Sequence, residues 1–129
     1  MFTIEQIMAA HATVKSGADF PQYIKKLIAL GVTSYETFVK DGHTDFKGRD
    51  NYLVSTGSKY DALSIAPPCD VERFKSDLKA HQQGQTDYPT FCRDCAASGI
   101  EKWEVSMESL SCSYYDLAGN MLLAEQIPQ

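Results

Sequence analysis

Cys92-Arg93-Asp94-Cys95 is the stretch whose residue types and spacing are most typical of chemistry. Two cysteines at this spacing can form a redox dithiol, which needs its first cysteine at a helix N-terminus, where free N–H groups favour the thiolate. Here Asp87 is the expected N-cap, so Cys92 lies past the first turn, where the helix dipole has little effect. The pair could also be half of a structural zinc site, which takes four ligands. Its remaining ligands would have to come from Cys69, Cys112 and His81.

An internal repeat favours a third interpretation of these cysteines. The segment DFPQYIKKLIALGVTSYE begins at Asp19, and DYPTFCRDCAASGIEKWE begins 68 residues later. In this register Cys92 and Cys95 replace Ile24 and Leu27, which are apolar core positions. Free cysteine packs as a small hydrophobic residue. We therefore predict that both cysteines are buried and inert and that no cofactor is bound. A metal site at Cys92 and Cys95 is the alternative.

His43, Glu36 and Glu104 are the other polar candidates for a site. His43 follows the turn Asp41-Gly42, so we expect it at an exposed hairpin tip, and tips on rigid scaffolds often bind ligands. Glu36 and Glu104 recur at the same point of the repeat and could form an acid/base pair if the fold brought them close. The alternative is a solvated outer face, on which each glutamate pairs with a lysine across strands.

Phe38 is the candidate for an apolar contact with a partner. The alternation in Val32–Lys40 puts Tyr35, Thr37 and Val39 on one face of a strand and Phe38 on the opposite face with Glu36. An outward aromatic residue on a sheet suggests a partner surface or a dimer contact. If helices cover both faces, no interface follows.

The elements that must position these residues form two similar sets. In the first, helices opened by Thr3 and Asp19 and ended by Ser16-Gly17 and Gly31 precede strands at 32–40, 44–47, 52–55 and 62–66. In the second, helices opened by Asp70 and Asp87 and ended by Gly84 and Gly99 precede strands at 102–107, 111–115 and 121–126. Helices grouped ahead of antiparallel strands predict an α+β fold, with four helices packed on antiparallel sheet. We predict a single domain, 1–129, made of pseudo-repeats 1–66 and 67–129; whether the strands form one sheet or two stays open.

Composition excludes several classes of function. The net charge is −5 and no basic stripe occurs, which argues against a nucleic-acid partner. No run of residues is long and apolar enough for a membrane span, and the N-terminus resembles a helix rather than an export signal. We therefore expect a cytoplasmic protein with reduced cysteines.

The chain resembles a known family in GVTSYETFV, AHQQG, DYPTFC and GIEKWEV, and more loosely from FTIEQI to AEQIP. These segments are similar to the small YbcV-like proteins of enteric bacteria and their prophages, some of which are labelled "phage envelope protein". The resemblance implies a bacterial or prophage-associated origin and an unknown function, and it supplies no catalytic residues.

The sequence contains no catalytic motif, but it does contain an internal duplication and many aromatic residues. We therefore expect a non-catalytic binding or interaction module, forming a homodimer, that binds a protein partner or a small ligand. The alternatives are a Cys/His-dependent enzyme, a zinc-binding protein and a phage-derived structural protein. A Cys/His enzyme would need an imidazole within hydrogen-bond reach of a sulfur.

Overall fold

A computed structural model describes residues 2–14, 19–67 and 69–127 of the chain. In these ranges four α-helices accompany six strands, which confirms the predicted α+β class. The helices are α1 (Ile4–His11), α2 (Phe20–Leu30), α3 (Val71–Gln82) and α4 (Tyr88–Ser98). The strands are β1 (Val32–Phe38), β2 (Thr44–Gly48), β3 (Leu53–Ser55), β4 (Lys102–Ser106), β5 (Ser111–Tyr115) and β6 (Met121–Gln126).

Several helix ends lie at residues that the sequence marks. Thr3 and Gln6 form the reciprocal capping box of α1, and the Asp87 carboxylate accepts a hydrogen bond from the Thr90 N–H at the start of α4. Gly31 and Gly99 take the left-handed conformation that ends α2 and α4, with φ of 101° and 92°. A side chain disfavours this conformation, which is why glycine stands at both positions.

All six strands form one antiparallel sheet in the order β3-β2-β1-β4-β5-β6. Each half of the chain contributes a three-stranded meander, and the two meanders join where β1 pairs with β4. The two predicted strand sets therefore form one sheet rather than two.

Helices pack on one face of this sheet in the described part of the chain. Tyr35 of β1, Trp103 of β4 and Tyr114 of β5 are buried beneath them, and Phe74 of α3 and Phe91 of α4 contact the last two rings. The strand residues between these positions point the other way, since successive side chains of a strand alternate in direction. The alternation predicted for β1 and β4 is confirmed.

Positions 68 residues apart have matching roles in the backbone. Tyr35 pairs with Phe46, and Trp103 pairs with Tyr114, so the β1–β2 and β4–β5 hairpins share one register. Positive φ also recurs in this register, at Gly31 and Gly99, Gly42 and Leu110, and Asn51 and Gly119. These correspondences support the proposed duplication, which stays a prediction together with the single-domain bounds.

The predicted elements differ most from the structure at two places, and the other strand bounds differ by at most two residues. Residues 62–66 are not a strand, because their backbone N–H groups serve different elements: Leu63 donates to the carbonyl of Lys40, and Ala66 to that of Ala96 in α4. The first helix ends at His11, earlier than the predicted end at Ser16-Gly17, which lies outside the described residues.

Candidate functional site

The face of the sheet opposite the helices brings together the candidates Glu36, Glu104, Phe38 and His43. We call it the open face. Alternation along β1 and β4 places Ser34, Glu36 and Phe38 there with Lys102, Glu104 and Ser106. The pairing of β2, β5 and β6 adds Asp45, Lys47, Ser113, Tyr115 and Met121.

Glu36 lies at the centre of the open face and is held by two lysines. Nζ of Lys47 on β2 lies 2.8 Å from Oε1, and Nζ of Lys102 on β4 lies 2.7 Å from Oε2. Each lysine lies two residues along its strand from the residue directly opposite Glu36, and its side chain reaches diagonally to the carboxylate. Only 9% of Glu36 is exposed. The expected solvated outer face is therefore wrong for this residue, although the expected pairing with lysines across strands is confirmed.

The two ion pairs determine the protonation of Glu36. Burial acts to raise the pKa of the carboxyl, but the hydrogen bonds and charges of Lys102 and Lys47 outweigh it, and the net pKa lies below the ordinary value. The same hydrogen bonds raise the pKa of each lysine. Glu36 is consequently ionised at neutral pH and holds no proton that it could donate as a general acid.

Glu104 is directly opposite Glu36 in the β1–β4 ladder. Cβ atoms of such a pair are about 5 Å apart, so the fold does bring the two recurring glutamates together. Like charges in this arrangement repel, and the two lysines on Glu36 offset that repulsion. An acid/base pair would require one of the two to be protonated, and the lowered pKa of Glu36 works against that.

An aromatic row runs across the open face beside these charges. The His43 ring stacks on Phe38 with centroids 4.5 Å apart and planes at 7°. Nζ of Lys102 lies 5.7 Å from the centroid of Phe38 and 5.4 Å from that of Tyr115, within the range of cation–π attraction. Met121, which pairs with Tyr115, ends the row at the sheet edge. We define the aromatic row as His43, Phe38, Lys102, Tyr115 and Met121.

His43 is more constrained than an exposed hairpin tip would make it. Its Nδ1 contacts Oδ1 of Asp41 at 2.5 Å, and its backbone N–H donates to the same oxygen. The contacts with His43 lower the pKa of the Asp41 carboxyl. With one ring nitrogen on Asp41 and one ring face against Phe38, His43 extends the aromatic row rather than standing free.

Cys92 and Cys95 lie on the core side of α4, away from the open face. Both thiols are buried, as predicted, at 1% and 0% exposure. Burial raises the pKa of each thiol, which disfavours the reactive thiolate. A cavity of about 270 Å³ adjoins Cys92 and is lined by Tyr60, Asp61, Leu63, Pro89, Cys92 and Arg93.

The described residues supply neither the further ligands of a metal site nor the imidazole of a Cys/His enzyme beside these cysteines. His81 stacks on Phe91, and its Nδ1 lies 3.2 Å from the carbonyl oxygen of Thr86, so that ring is already engaged. Among residues 2–14, 19–67 and 69–127, no group of three His, Cys, Asp or Glu residues is arranged to hold a metal ion. In the same ranges, no helix has both the length and the apolar content needed to cross a bilayer.

Lys47, Lys102 and Tyr115 are the parts of the site that the sequence did not single out. Alternation alone places Lys102 on the same face as Glu104, so this signal was available. The pattern does not show that β1 pairs with β4. This pairing brings Lys102 next to Glu36, which is 66 residues away in the sequence.

The model of a family described as "Protein of unknown function (DUF1398)" matches residues 8–126. No curated protein matches the chain.

Proposed function

The chain belongs to the family described as "Protein of unknown function (DUF1398)", and we propose that it is a non-catalytic interaction module that binds a protein partner through the open face. The observation that carries this proposal is the aromatic row. Its members lie side by side on a sheet face that no described helix covers.

The shape of the open face favours a protein over a small ligand. Neighbouring strands lie about 4.8 Å apart, so the aromatic row extends for about 20 Å. Two cavities of about 270 and 260 Å³ lie elsewhere, one beside Cys92 and one between α3 and β6. A small molecule binds best in a concave site, whereas a broad face suits a second macromolecule.

The composition of the open face fits a protein interface. Aromatic residues and methionine are enriched at such interfaces. Met121 and Leu53 are 59% and 54% exposed at opposite corners of the face. The central charges of Glu36 and Glu104 balance those of Lys47 and Lys102, which reduces the desolvation cost of covering them.

The state of the reactive groups supports a role without catalysis. Glu36 is ionised and paired, His43 is held by Asp41 and Phe38, and burial raises the pKa of the thiols of Cys92 and Cys95. None of these groups has the arrangement that a nucleophile with its base requires. The Cys/His enzyme, the zinc-binding protein and the phage structural protein gain no support from this geometry.

We also propose a source and a cellular location for the protein. The resemblance to YbcV-like proteins suggests a bacterial, prophage-associated source. The four cysteines are free, which agrees with a reducing compartment such as the cytoplasm.

Affinity capture with a paired variant tests the proposed partner face. The purified chain, coupled to a resin, is exposed to a lysate of the source organism beside the double variant Phe38→Ser/Tyr115→Ser. We expect proteins retained by the original chain to bind the double variant at least about tenfold more weakly, because aromatic anchors dominate interface energies.

The matched control is Ile28→Ser, which removes an exposed apolar residue on α2, outside the open face. It should retain the same proteins as the original chain. Thermal denaturation of each variant checks that it is folded. If the folded double variant captures the same proteins with the same affinity, the open face is not the partner site.

A further inference from the structure

We propose that β6 is a dimerisation edge, on which a second copy of this chain adds its own β6 in antiparallel orientation. The sheet would then continue as twelve strands across a twofold axis normal to it. This proposal is independent of the partner proposed for the open face.

The two edges of the sheet differ in how well they are protected. β3 has three residues and follows a 3₁₀ turn in which Asp50 and Asn51 have positive φ, so it offers a short and irregular edge. β6 has six residues, Met121–Gln126, with no proline, glycine or basic residue. Natural sheets guard exposed edges with short strands, lysine, proline or bulges. β6 has none of the first three, and its one irregularity is a shift in register with β5 between Tyr114 and Tyr115, at the Met121 end.

The outer backbone of β6 is available in the described structure. Its ladder is formed with β5, and no other backbone hydrogen bond in the described ranges involves Met121–Gln126. Unpaired N–H and C=O groups along an exposed edge form a template for another strand. The exposed side chains there are mostly apolar or neutral, with Met121 59% exposed.

A groove beside the edge fits a second copy. It has a volume of about 260 Å³, lies between α3 and β6, and has Leu78 and Leu123 in its lining. Lys75 and Lys79 line it from the helix and Glu125 from the strand. The described residues show no ion pair for either lysine, and Glu125 accepts a hydrogen bond from Gln82.

Twofold pairing of β6 would bring two such grooves together. Lys75 and Lys79 of each copy would then face Glu125 of the other copy. This is the self-complementary charge pattern that a symmetric dimer requires. The apolar lining of each groove would be covered at the same time. A twofold axis normal to the sheet also leaves both open faces on the same side, so a dimer would present two partner sites in parallel.

Sedimentation velocity of the full chain from about 1 to 200 µM tests the dimer. We expect a monomer–dimer equilibrium that Ala124→Lys weakens at least about tenfold, because it sets two like charges close to the axis. Ala124 is exposed near the middle of β6, so the substitution leaves the core intact. Ser55→Lys, on the β3 edge, is the control and should leave the equilibrium unchanged.

Cysteine trapping provides a second readout. In a Cys69→Ser background, which removes the one cysteine that is not buried, Ala124→Cys should form a disulfide-linked dimer on mild oxidation and Ser55→Cys should not. A chain that stays monomeric to 200 µM, or a dimer that Ala124→Lys and Ser55→Lys affect equally, would overturn the proposal. Growing oligomers that both lysine variants disrupt would indicate head-to-tail pairing of β6 with β3, which also overturns it.

Discussion

Glu36 shows how one residue stabilises the junction of the two halves. It belongs to β1, and its carboxylate binds Lys47 of β2 and Lys102 of β4, so one side chain ties three neighbouring strands. Glu104 lies directly opposite with a like charge, and the two lysines offset the repulsion. Hydrogen bonds to charged groups typically contribute about 1.5–3 kcal/mol each when buried, and less here because both lysines are partly exposed.

Replacing Glu36 with glutamine tests this role. We expect Glu36→Gln to lower the free energy of unfolding by about 1–3 kcal/mol at pH 7, measured by urea denaturation. Glu104→Gln is the matched control, since it leaves the two ion pairs of Glu36 intact. It should change stability by less than about 0.5 kcal/mol. Equal losses in both variants would show that the ion pairs of Glu36 contribute nothing specific.

The stabilisation by Glu36 should also depend on pH. Its pKa in the folded protein lies below the ordinary value of 4.5, so its contribution is complete above pH 4.5 and is lost as the pH falls through the lowered pKa. The difference in unfolding free energy between the original chain and Glu36→Gln should therefore shrink as the pH falls below 4.5. A difference that is constant over this range would contradict the lowered pKa.

At the scale of elements, the β1–β2 and β5–β6 hairpins depend on their turns in different ways. Gly42 between β1 and β2 has φ of +78°, and a Cβ there would lie 2.7 Å from Cε2 of Tyr60. Tyr60 in turn donates from its hydroxyl to the carbonyl oxygen of Val39. Gly119 between β5 and β6 has a similar φ of +85°, but no atom lies within 4 Å of the same position.

This contrast separates backbone strain from packing. Gly42→Ala and Gly119→Ala share the cost of a side chain at positive φ, about 1–2 kcal/mol. We expect Gly42→Ala to cost at least about 1 kcal/mol more, because the new methyl group displaces Tyr60. Thermal or urea denaturation of both variants measures the difference. Equal costs would mean that the loop carrying Tyr60 moves freely and does not brace the hairpin.

At the scale of the whole molecule, the two halves share one core and one sheet. The buried residues of all four helices form a single cluster with the covered face of the strands, and the β1–β4 ladder crosses the junction. The loop before α3 also crosses it, since Ala66 donates to the carbonyl of Ala96. A chain of about 65 residues buries only about 60% of its unfolded surface, so each half alone would be marginal.

We therefore expect the fragments 1–66 and 67–129 to lack cooperative thermal unfolding when each is studied by circular dichroism. Each fragment would expose one side of the central ladder and part of the shared core. Mixing the two should restore part of the cooperative transition, with the intact chain as the reference. A sharp transition in either isolated fragment would instead divide the chain into two domains.

The sequence by itself determined the local features of this protein. Thr3, Asp87 and Gly31 mark helix ends because capping depends on neighbours along the chain, and the alternation in β1 assigned Tyr35 and Phe38 to opposite faces. The repeat also predicted that Cys92 and Cys95 are buried, because each occupies an apolar position of the duplicated unit.

Only the tertiary structure decided which strands meet. Nothing in the periodicity of β1 or β4 says that they pair, so Glu36 opposite Glu104, Lys102 on Glu36 and the stack of rings around Lys102 could not be read in advance. The strand expected at 62–66 failed for the same reason, because a strand needs a partner ladder and these residues have none. Short-range chemistry specifies the elements, whereas the open face exists because packing on the other side fixed the order of the strands.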